Sequence, residues 1–376
     1  MRVLIAVSHG GIYSGGAFQA AYQLAGLKHA GVDVMAVWGP DINGDPHGFD
    51  RLEAAGVPYK ILPIQLKPTL ESLKAFRKVL VEFKPDVVEC FKSGAQYHAM
   101  FGGLGLNSHV LIFYRGISRN MDLWQGIKYR FRRVDGIIAN STDLKNVMSR
   151  TGKIPPEKIS VVFGEYDPAC GNPDKVDITG FRKELNIPEE VPLITQLGNW
   201  SEWRGQKYTL QAGAILKEKG YRFHLAFVGK DTDKLKPLVT QLKLNDVVTL
   251  SPFRRDPERV LKASDIAINA STSHESLPGS MLNAQATGLP CITTDLAGGR
   301  EAVEDGVTGF IIPPADAQSL AMMMVKMLEM GENGRRKIGD AARQRALRLF
   351  SPEARTKRRL KVYEKAIEHR RKVIGV

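Results

Sequence analysis

Residues 271–314, STSHESLPGSMLNAQATGLPCITTDLAGGREAVEDGVTGFIIPP, alternate polar loops with short helical and strand-like segments. The apolar run 265–270 before them predicts a buried strand, and 280–287 predicts a helix that ends at Gly288. A loop that opens on a helix N-terminus leaves several backbone N–H groups without a partner. Those donors and the helix dipole favour a phosphate group at the start of the predicted helix.

The order of motifs in this stretch resembles the retaining nucleotide-sugar glycosyltransferases of the GT-B fold, and glycosyltransferase family 4 (glycosyl transferases group 1) in particular. The shared motifs are Glu275-Ser-Leu-Pro278, Gly288-Leu-Pro-Cys-Ile292, Gly298-Gly299 and Asp305-Gly-Val-Thr-Gly309. Ser276 replaces the family's Gly, and Asn283 stands where the family has a second Glu. The resemblance implies an α/β protein of two Rossmann-like domains facing a central cleft, with a C-terminal helix that crosses back to the first domain.

Size and composition agree with such an architecture. The 376 residues suffice for two domains, and the composition is that of an ordinary soluble globular protein. No apolar run reaches the roughly 18 residues of a membrane span, and the opening segment 1–7 predicts a first strand rather than a secretory signal. Three well-separated cysteines, Cys90, Cys170 and Cys291, lack metal-ligand spacing and favour a reducing cytoplasm without disulfides.

The net charge of +13 is concentrated near the C-terminal end, where residues 335–376 carry 15 Lys or Arg and four Asp or Glu. Two interpretations stay open, a solvated helical face and attraction to an anionic membrane surface. A second basic stretch, 115–133, interleaves its charges with Trp124, Tyr129 and Phe131. It fits either ordinary packing or a platform for an anionic lipid or lipid-linked acceptor. We expect no nucleic-acid partner, because no nucleic-acid motif accompanies the charge.

Strand-like runs alternate with helical segments along the chain, which predicts parallel sheets covered on both faces. We expect an N-terminal acceptor-side domain over 1–170, completed by a C-terminal helix over about 351–376, and a nucleotide-sugar-binding domain over 171–350. The irregular segment 167–177 predicts the linker, because its Pro-Ala-Cys-Gly-Asn-Pro run breaks every periodicity. Ser351 and Pro352 fit the N-cap and first position of the last helix.

The resemblance implies donor-binding residues in several loops at the carboxyl ends of strands. Glu275 corresponds to the family's Glu that contacts the transferred sugar, Arg204 to a phosphate-binding Lys, and Asn199 to an Arg whose charge is lost here. The backbone of 279–282 is expected to hold the distal phosphate, and Asn283 the ribose. The expected donor-binding set is Gly15, Gly16, Gly198, Asn199, Arg204, Gly229, Phe253, Arg254, Glu275, Leu277, Pro278, Gly279, Ser280, Met281, Leu282 and Asn283.

Structural alternatives stay open for these residues: a surface ion pair for Arg204, a favourable helix-dipole position for Glu275, and no ligand contact for Asn283. On the acceptor side the expected residues are His9, Gly10, Gly11, Arg115 and Arg119. Arg115 stands where many members have a His near the reacting carbon. An Arg stays protonated, so it binds an anionic group instead of acting as a base. We expect Glu275, Arg204 and Arg115 to form the catalytic set. His98 is a further candidate for the cleft, although an isolated His is more often structural.

Asp231-Thr-Asp233 resembles the metal-binding Asp-x-Asp of the other glycosyltransferase fold, but fits a helix start equally well. We expect no metal and no cofactor, the donor being a UDP-, GDP- or ADP-sugar. The resemblance implies a retaining transferase that glycosylates a glycan or lipid-linked acceptor in bacterial lipopolysaccharide or surface polysaccharide synthesis. The cysteines favour a cytoplasmic location, and the membrane interpretation of the two basic segments corresponds to reversible attachment at the inner membrane surface. Two alternatives stay open, a GT-B nucleotide-sugar epimerase and a non-catalytic nucleotide-sugar-binding protein.

Overall fold

The computed structural model describes residues 1–10, 15–40, 49–106 and 108–374. They form two α/β units, one of Met1–Glu165 with Pro352–Val376 and one of Tyr166–Ser351. Each unit is built on its own sheet of parallel strands with helices between them. The predicted α/β class, with two separate parallel sheets and their helices, is confirmed.

The first unit contains a seven-stranded sheet of order β3-β2-β1-β4-β5-β6-β7. Its strands are β1 (Arg2–Gly10), β2 (Asp33–Gly39), β3 (Tyr59–Ile61), β4 (Val87–Phe91), β5 (Val110–Arg115), β6 (Gly136–Ala139) and β7 (Ile159–Val161). Its helices are α1 (Gly15–His29), α2 (Asp50–Ala54), α3 (Leu70–Phe83), α4 (Lys92–Gly102), α5 (Leu123–Arg130), α6 (Thr142–Gly152) and α15 (Pro352–Ile374). Val3 and Ile5 of β1 pack into one core and Leu4 into the other, because successive strand residues face opposite sides.

Helix α15 is part of the first unit's interior. Arg359 on this helix contacts Glu89 of β4 and Gln23 of α1, and the Tyr363 hydroxyl also donates to Glu89. All four side chains are buried. Such a network stabilises the docked helix only while it is complete, since one missing partner leaves a buried charge unpaired.

The basic residues of 335–376 do not form one solvated face, because several of them lie inside the fold. Arg335 contacts Asp265 within the second unit, and Arg343 donates to backbone carbonyls there. In the first unit Arg355 pairs with Glu165 at 2.6 Å. Part of the predicted C-terminal charge therefore has an internal structural role.

The second unit contains a six-stranded sheet of order β10-β9-β8-β11-β12-β13. Its strands are β8 (Leu193–Leu197), β9 (His224–Val228), β10 (Val248–Ser251), β11 (Ile266–Asn269), β12 (Cys291–Thr294) and β13 (Gly309–Ile312). Its helices are α7 (Phe181–Glu184), α8 (Gln206–Glu218), α9 (Lys236–Gln241), α10 (Pro257–Lys262), α11 (Gly279–Thr287), α12 (Ala297–Ala302), α13 (Ala317–Glu329) and α14 (Gly331–Phe350). None of the described helices is both long and apolar enough to cross a membrane.

The segment expected to be the linker packs onto the second unit. It contains the short 3₁₀ helices Pro168–Gly171 and Pro173–Lys175. The Asp167 N–H donates to the Asn283 side chain at 2.7 Å, which ties the segment to α11. Because of such contacts the unit boundary falls after Glu165, and residues 166–170 belong to the second unit rather than the first.

Candidate functional site

The candidate ligand site of the second unit lies at the carboxyl ends of β8 and β11. These two strands are parallel neighbours, and the strand order reverses between them. Loops leaving such a pair of strands diverge in opposite directions and leave room for a ligand. The loop after β8 carries Arg204, and the loop after β11 carries Glu275.

One carboxylate oxygen of Glu275 is held by three side chains. The Ser271 hydroxyl donates to Oε2 at 2.9 Å and the Asn269 amide at 3.3 Å, while Arg204 Nη1 lies 3.7 Å from the same atom. Ser271 and Asn269 are both buried. The other oxygen, Oε1, accepts no hydrogen bond from any described residue. The carboxylate is therefore fixed on one side and open to a hydroxyl donor on the other.

Trp203 connects the two loops. Its ring lies 4.5 Å from the Arg204 guanidinium and meets the His274 ring edge-on. Its carbonyl accepts a hydrogen bond from the Thr272 N–H at 2.7 Å. His274 has the left-handed backbone conformation, φ 60°, immediately before Glu275. Such a conformation in a non-glycine residue is uncommon and persists where surrounding contacts fix it.

Two glycines determine how closely these loops approach each other. Gly205 has φ 66°, and a Cβ there would lie 1.9 Å from the Ala270 carbonyl oxygen. A Cβ on Gly298, in α12, would lie 1.9 Å from the Ser276 carbonyl oxygen. Any side chain at either position would force the Arg204 loop or α12 away from the Glu275 loop.

Sequence reasoning predicted Arg204 and Glu275 but missed Asn269, Ser271 and Trp203. A usable signal was present for Asn269 and Ser271, since both are polar residues at the end of an otherwise apolar strand run. The predicted glycines lie at neighbouring strand ends, where the Gly198 N–H donates to the Val228 carbonyl and the Gly229 N–H to the Ser251 carbonyl.

The start of α11 offers two open backbone donors rather than the four predicted. The N–H groups of Met281 and Leu282 already donate to the Pro278 carbonyl, and both side chains are buried. Pro278 occupies the N-cap position and provides no side-chain cap. The N–H groups of Gly279 and Ser280 have no acceptor among the described residues. Leu277 is buried just ahead of this turn.

The two asparagines that replace charged family residues hold backbone segments of the second unit. Asn283 Oδ1 accepts from the Asp167 N–H at 2.7 Å. Asn199 Oδ1 accepts from the Lys230 N–H at 3.0 Å. Each asparagine side chain therefore stabilises a loop of the second unit through a hydrogen bond to its backbone.

Arg254 is not available to contact a nucleobase in this structure. Its guanidinium donates to Glu184 at 2.6 Å and, through two nitrogens, to Asp256 at 2.8 and 2.7 Å. These hydrogen bonds raise the pKa of Arg254 above its usual value and fix the group in an ion-pair network. Phe253, beside it, is exposed and stays the predicted base contact.

In the first unit, the predicted acceptor-side residues lie at the ends of β1 and β5. Gly10 ends β1, and Gly15 and Gly16 open α1. Gly11 and the His9 side chain lie outside the described residues. Arg115 ends β5, where its guanidinium donates to the Arg119 carbonyl at 2.8 Å; the Arg119 side chain is exposed.

Of the two alternatives for His98, a cleft residue and a structural one, the structural alternative holds. His98 is buried between α3 and α4, where its ring nitrogens contact the Gly94 carbonyl and the Ser72 hydroxyl, each at 2.8 Å. Burial lowers the pKa of His98, which favours the neutral, structural form.

The Asp231-Thr-Asp233 motif makes local contacts. Asp231 lies 3.5 Å from Lys234 and does not cap the following 3₁₀ helix Thr232–Leu235. Within the described part of the chain, no three His, Cys, Asp or Glu side chains are grouped as metal ligands would be.

Two family models match almost the whole chain, Glycosyltransferase Family 4 over residues 13–167 and Glycosyl transferases group 1 over residues 177–345. The chain belongs to the family 4 glycosyltransferases. The second match contains Arg204, Glu275 and the start of α11, and the predicted family is confirmed.

Named relatives of this family 4 glycosyltransferase include the lipopolysaccharide core biosynthesis glycosyltransferase LpsE of Rhizobium meliloti. It is 27% identical over 253 residues, which cover 66% of this chain and 70% of LpsE. The Escherichia coli UDP-Gal:alpha-D-GlcNAc-diphosphoundecaprenol alpha-1,3-galactosyltransferase is 24% identical over 77% of this chain and 80% of that protein. The chain spans about half the length of most of the first curated relatives it matches.

Among solved structures, that of Anabaena HepE in complex with UDP and glucose is similar, with a TM-score of 0.82 and 18% identity. The likeness covers 97% of this chain and 100% of HepE. At this level of identity the likeness concerns the fold, which is the GT-B fold predicted from the motifs.

Proposed function

We propose that this family 4 glycosyltransferase moves a hexose-type unit from a nucleotide-diphosphate sugar to a glycan or lipid-linked acceptor, with retention of configuration. The observation that carries the proposal is the pairing of Arg204 with Glu275, in the loop that leads into α11 and its open N–H groups at Gly279 and Ser280. In this arrangement the N–H groups and Arg204 bind the diphosphate. Glu275 Oε1 accepts a hydrogen bond from a hydroxyl of the transferred sugar.

The chemistry follows from where charge develops. As the bond between the sugar's anomeric carbon and the phosphate oxygen breaks, negative charge grows on the departing diphosphate. Arg204 and the open N–H donors bind the departing diphosphate more strongly than the less negative diphosphate of the intact donor. The departing phosphate oxygen takes the acceptor hydroxyl's proton while the acceptor oxygen bonds to the same face of the anomeric carbon. Neither a protein base nor a metal is required for this step.

The names of similar proteins support a choice of donor nucleotide and of biosynthetic process. HepE was crystallised in complex with UDP and glucose, and the E. coli relative is named for UDP-Gal and a diphosphoundecaprenol acceptor. LpsE is named for lipopolysaccharide core biosynthesis. We therefore place UDP-sugars first among the candidates and lipopolysaccharide or surface polysaccharide synthesis as the setting.

A calorimetric screen of UDP, GDP and ADP and their sugars tests the donor assignment. We expect one nucleotide to bind, and Glu275→Ala to lower turnover at least about 100-fold while leaving nucleotide affinity nearly unchanged. A loss of turnover under about threefold would contradict the role of Glu275. Binding without transfer to any acceptor would indicate a non-catalytic protein, and release of free sugar without acceptor an epimerase.

Two further measurements test the mechanism. The product's anomeric configuration, read by NMR, should match that of the donor, and inversion would exclude the same-face step. Activity should persist in EDTA, and its loss followed by recovery with Mg²⁺ or Mn²⁺ would show that a metal takes part.

We also propose that the first unit binds an anionic membrane surface through the α5 surface, defined by Ile117, Leu123, Trp124, Ile127 and Phe131. These apolar side chains are exposed, Trp124 by 77% and Leu123 by 70%. The exposed residues Arg119, Arg130 and Arg132 accompany them. Exposed aromatic and aliphatic side chains beside basic ones suit the boundary between anionic headgroups and acyl chains.

The α5 surface includes only some of the basic and aromatic residues of the stretch 115–133. Lys128 and Tyr129 point inward and are buried, and Arg133 pairs with Asp135 at 2.9 Å. The enzyme should sediment with anionic but not neutral liposomes at low salt, and Trp124→Ala should weaken that recovery. Equal recovery from both kinds of liposome would contradict the proposal.

A further inference from the structure

Two basic side chains beside the Tyr129 ring have no carboxylate partner within the described part of the chain. Arg115 ends β5, and Lys128 lies on α5. The Arg115 guanidinium carbon is 5.9 Å from the centroid of the Tyr129 ring, and Lys128 Nζ is 5.1 Å from it. Both cations therefore lie beside the same aromatic ring.

Lys128 is unusually well buried for a lysine, with 7% of its surface exposed. Its ammonium donates to the Ser93 hydroxyl at 2.9 Å and faces the rings of Tyr97 and Tyr129. Contacts with rings and a hydroxyl stabilise an ammonium without supplying a counter-charge, and the Asp122 carboxylate acts on Lys128 electrostatically without forming an ion pair with it. Burial, with a smaller contribution from Arg115, lowers the pKa of Lys128 to about 8, so most of it is still charged at pH 7.

Arg115 has spare hydrogen-bonding capacity. One terminal nitrogen donates to the Arg119 carbonyl at 2.8 Å, and the other makes a long contact of 3.4 Å with the Gln125 amide oxygen. The Nε atom is buried and has no hydrogen-bond partner among the residues that the structure describes. A guanidinium has five donors arranged for two-point contact with an oxyanion, and here neutral acceptors occupy only part of them.

Two cations placed together and partly removed from water repel each other, which costs stability unless an anion joins them. We propose that Arg115 and Lys128 form a subsite for an oxyanion, a phosphate or carboxylate group carried by the acceptor. The assignment of the anion to the acceptor rests on the proposed function; the capacity to bind an oxyanion does not. The guanidinium supplies the two-point contact and the ammonium a compact charge.

Sulfate tests the subsite because its charge does not change between pH 7 and 9. We would titrate sodium sulfate into the full chain by calorimetry and thermal shift, with sodium chloride at matched ionic strength as the reference. Arg115→Gln and Lys128→Met should each weaken sulfate binding at least about tenfold. The control Lys74→Met, at an exposed lysine of α3, should retain this binding.

The pH dependence identifies the lysine. Lys128 is faced by Arg115, the Asp122 carboxylate, and the Tyr97 and Tyr129 rings. Since Lys128 loses its proton near pH 8, sulfate affinity should fall between pH 7 and 9 in the wild type and change little in Lys128→Met. If Lys128→Met fails to fold, the sulfate affinity of Arg115→Gln alone tests the subsite.

Equal sulfate binding by the wild type and Arg115→Gln, or an equal loss in Lys74→Met, would overturn the subsite. Methyl phosphate and glucuronate, titrated in the same way, distinguish a phosphate-bearing from a uronic-acid-bearing acceptor. Sulfate binding in a protein that binds no nucleotide would refute the proposed function and leave the subsite standing.

Discussion

At the scale of single residues, the orientation of the Glu275 carboxylate is the most consequential detail. Ser271 and Asn269 both donate to Oε2, so the unoccupied lone pairs of Oε1 keep a fixed direction. A carboxylate that is already oriented towards a sugar hydroxyl does not have to reorient while the glycosidic bond breaks, and this lowers the activation free energy. Ser271 and Asn269 are therefore positioning residues in this account.

We predict that Ser271→Ala lowers kcat about tenfold with little change in donor KM, since it removes one hydrogen bond to a charged group. Ser271→Thr should restore most of the activity. In a Glu275→Ala background the Ser271→Ala change should have almost no further effect, because the two residues act as one unit. Additive losses in steady-state kinetics would show that Ser271 acts independently of Glu275.

The chain's sequence predicted Arg204 and Glu275 but not the use of Arg254. Arg254 follows an apolar strand at a position that fits a base-binding loop. Its actual partners include Glu184, which lies 70 residues earlier in sequence. Contacts over that separation depend on tertiary packing, which local patterns do not encode.

At the scale of elements, the open N-terminus of α11 distinguishes it from helices whose first turns are capped. Asp316 caps α13 and Ser141 caps α6, each by accepting a backbone N–H, whereas Pro278 offers α11 no side-chain acceptor. The donors left open carry the positive end of the helix dipole. A diphosphate is a suitable acceptor for them.

We predict that Gly279→Pro lowers nucleotide-diphosphate affinity at least about tenfold, because it deletes one charge-assisted donor. Proline is tolerated at the first position of a helix, so the fold should persist. Gly279→Ala is the matched control, because a Cβ there meets no atom of the described residues within 4 Å and the N–H is kept. Equal affinities of the two variants, measured by calorimetry, would argue against this donor.

Most strands were predictable within one or two residues, because strands buried on both faces read as continuous apolar runs. The strand Ile266–Asn269, which lies inside the predicted run 265–270, is an example. Short elements such as Phe181–Glu184 escaped prediction, since four residues carry no periodicity. The first turn of α11 was assigned two donors too many because the carbonyl of Pro278 was not recognised as their acceptor.

At the scale of the whole molecule, the C-terminal helix completes the first unit although the second unit separates it from the rest of that unit in sequence. Its arginines looked like a surface charge from the sequence alone. Arg359 is instead fully buried against Glu89, and only the fold reveals that partner, 270 residues away.

We predict that Arg359→Met destabilises the first unit by about 3–5 kcal/mol, because Glu89 would be left as an unpaired buried charge. The double variant Glu89→Gln, Arg359→Met should recover more than half of that loss. Hydrogen exchange of β1 and β4 should report the change, with β8 and β11 of the second unit as the internal control. Exchange that rises equally in both units would contradict a role confined to the first.

The most direct test of the account is a crystal structure of the full chain with the nucleoside diphosphate that binds best, beginning with UDP. The account predicts the distal phosphate within about 3 Å of the Gly279 and Ser280 nitrogens, with the Arg204 guanidinium on the same phosphate. A nucleotide bound with its phosphates away from the first turn of α11 would contradict it.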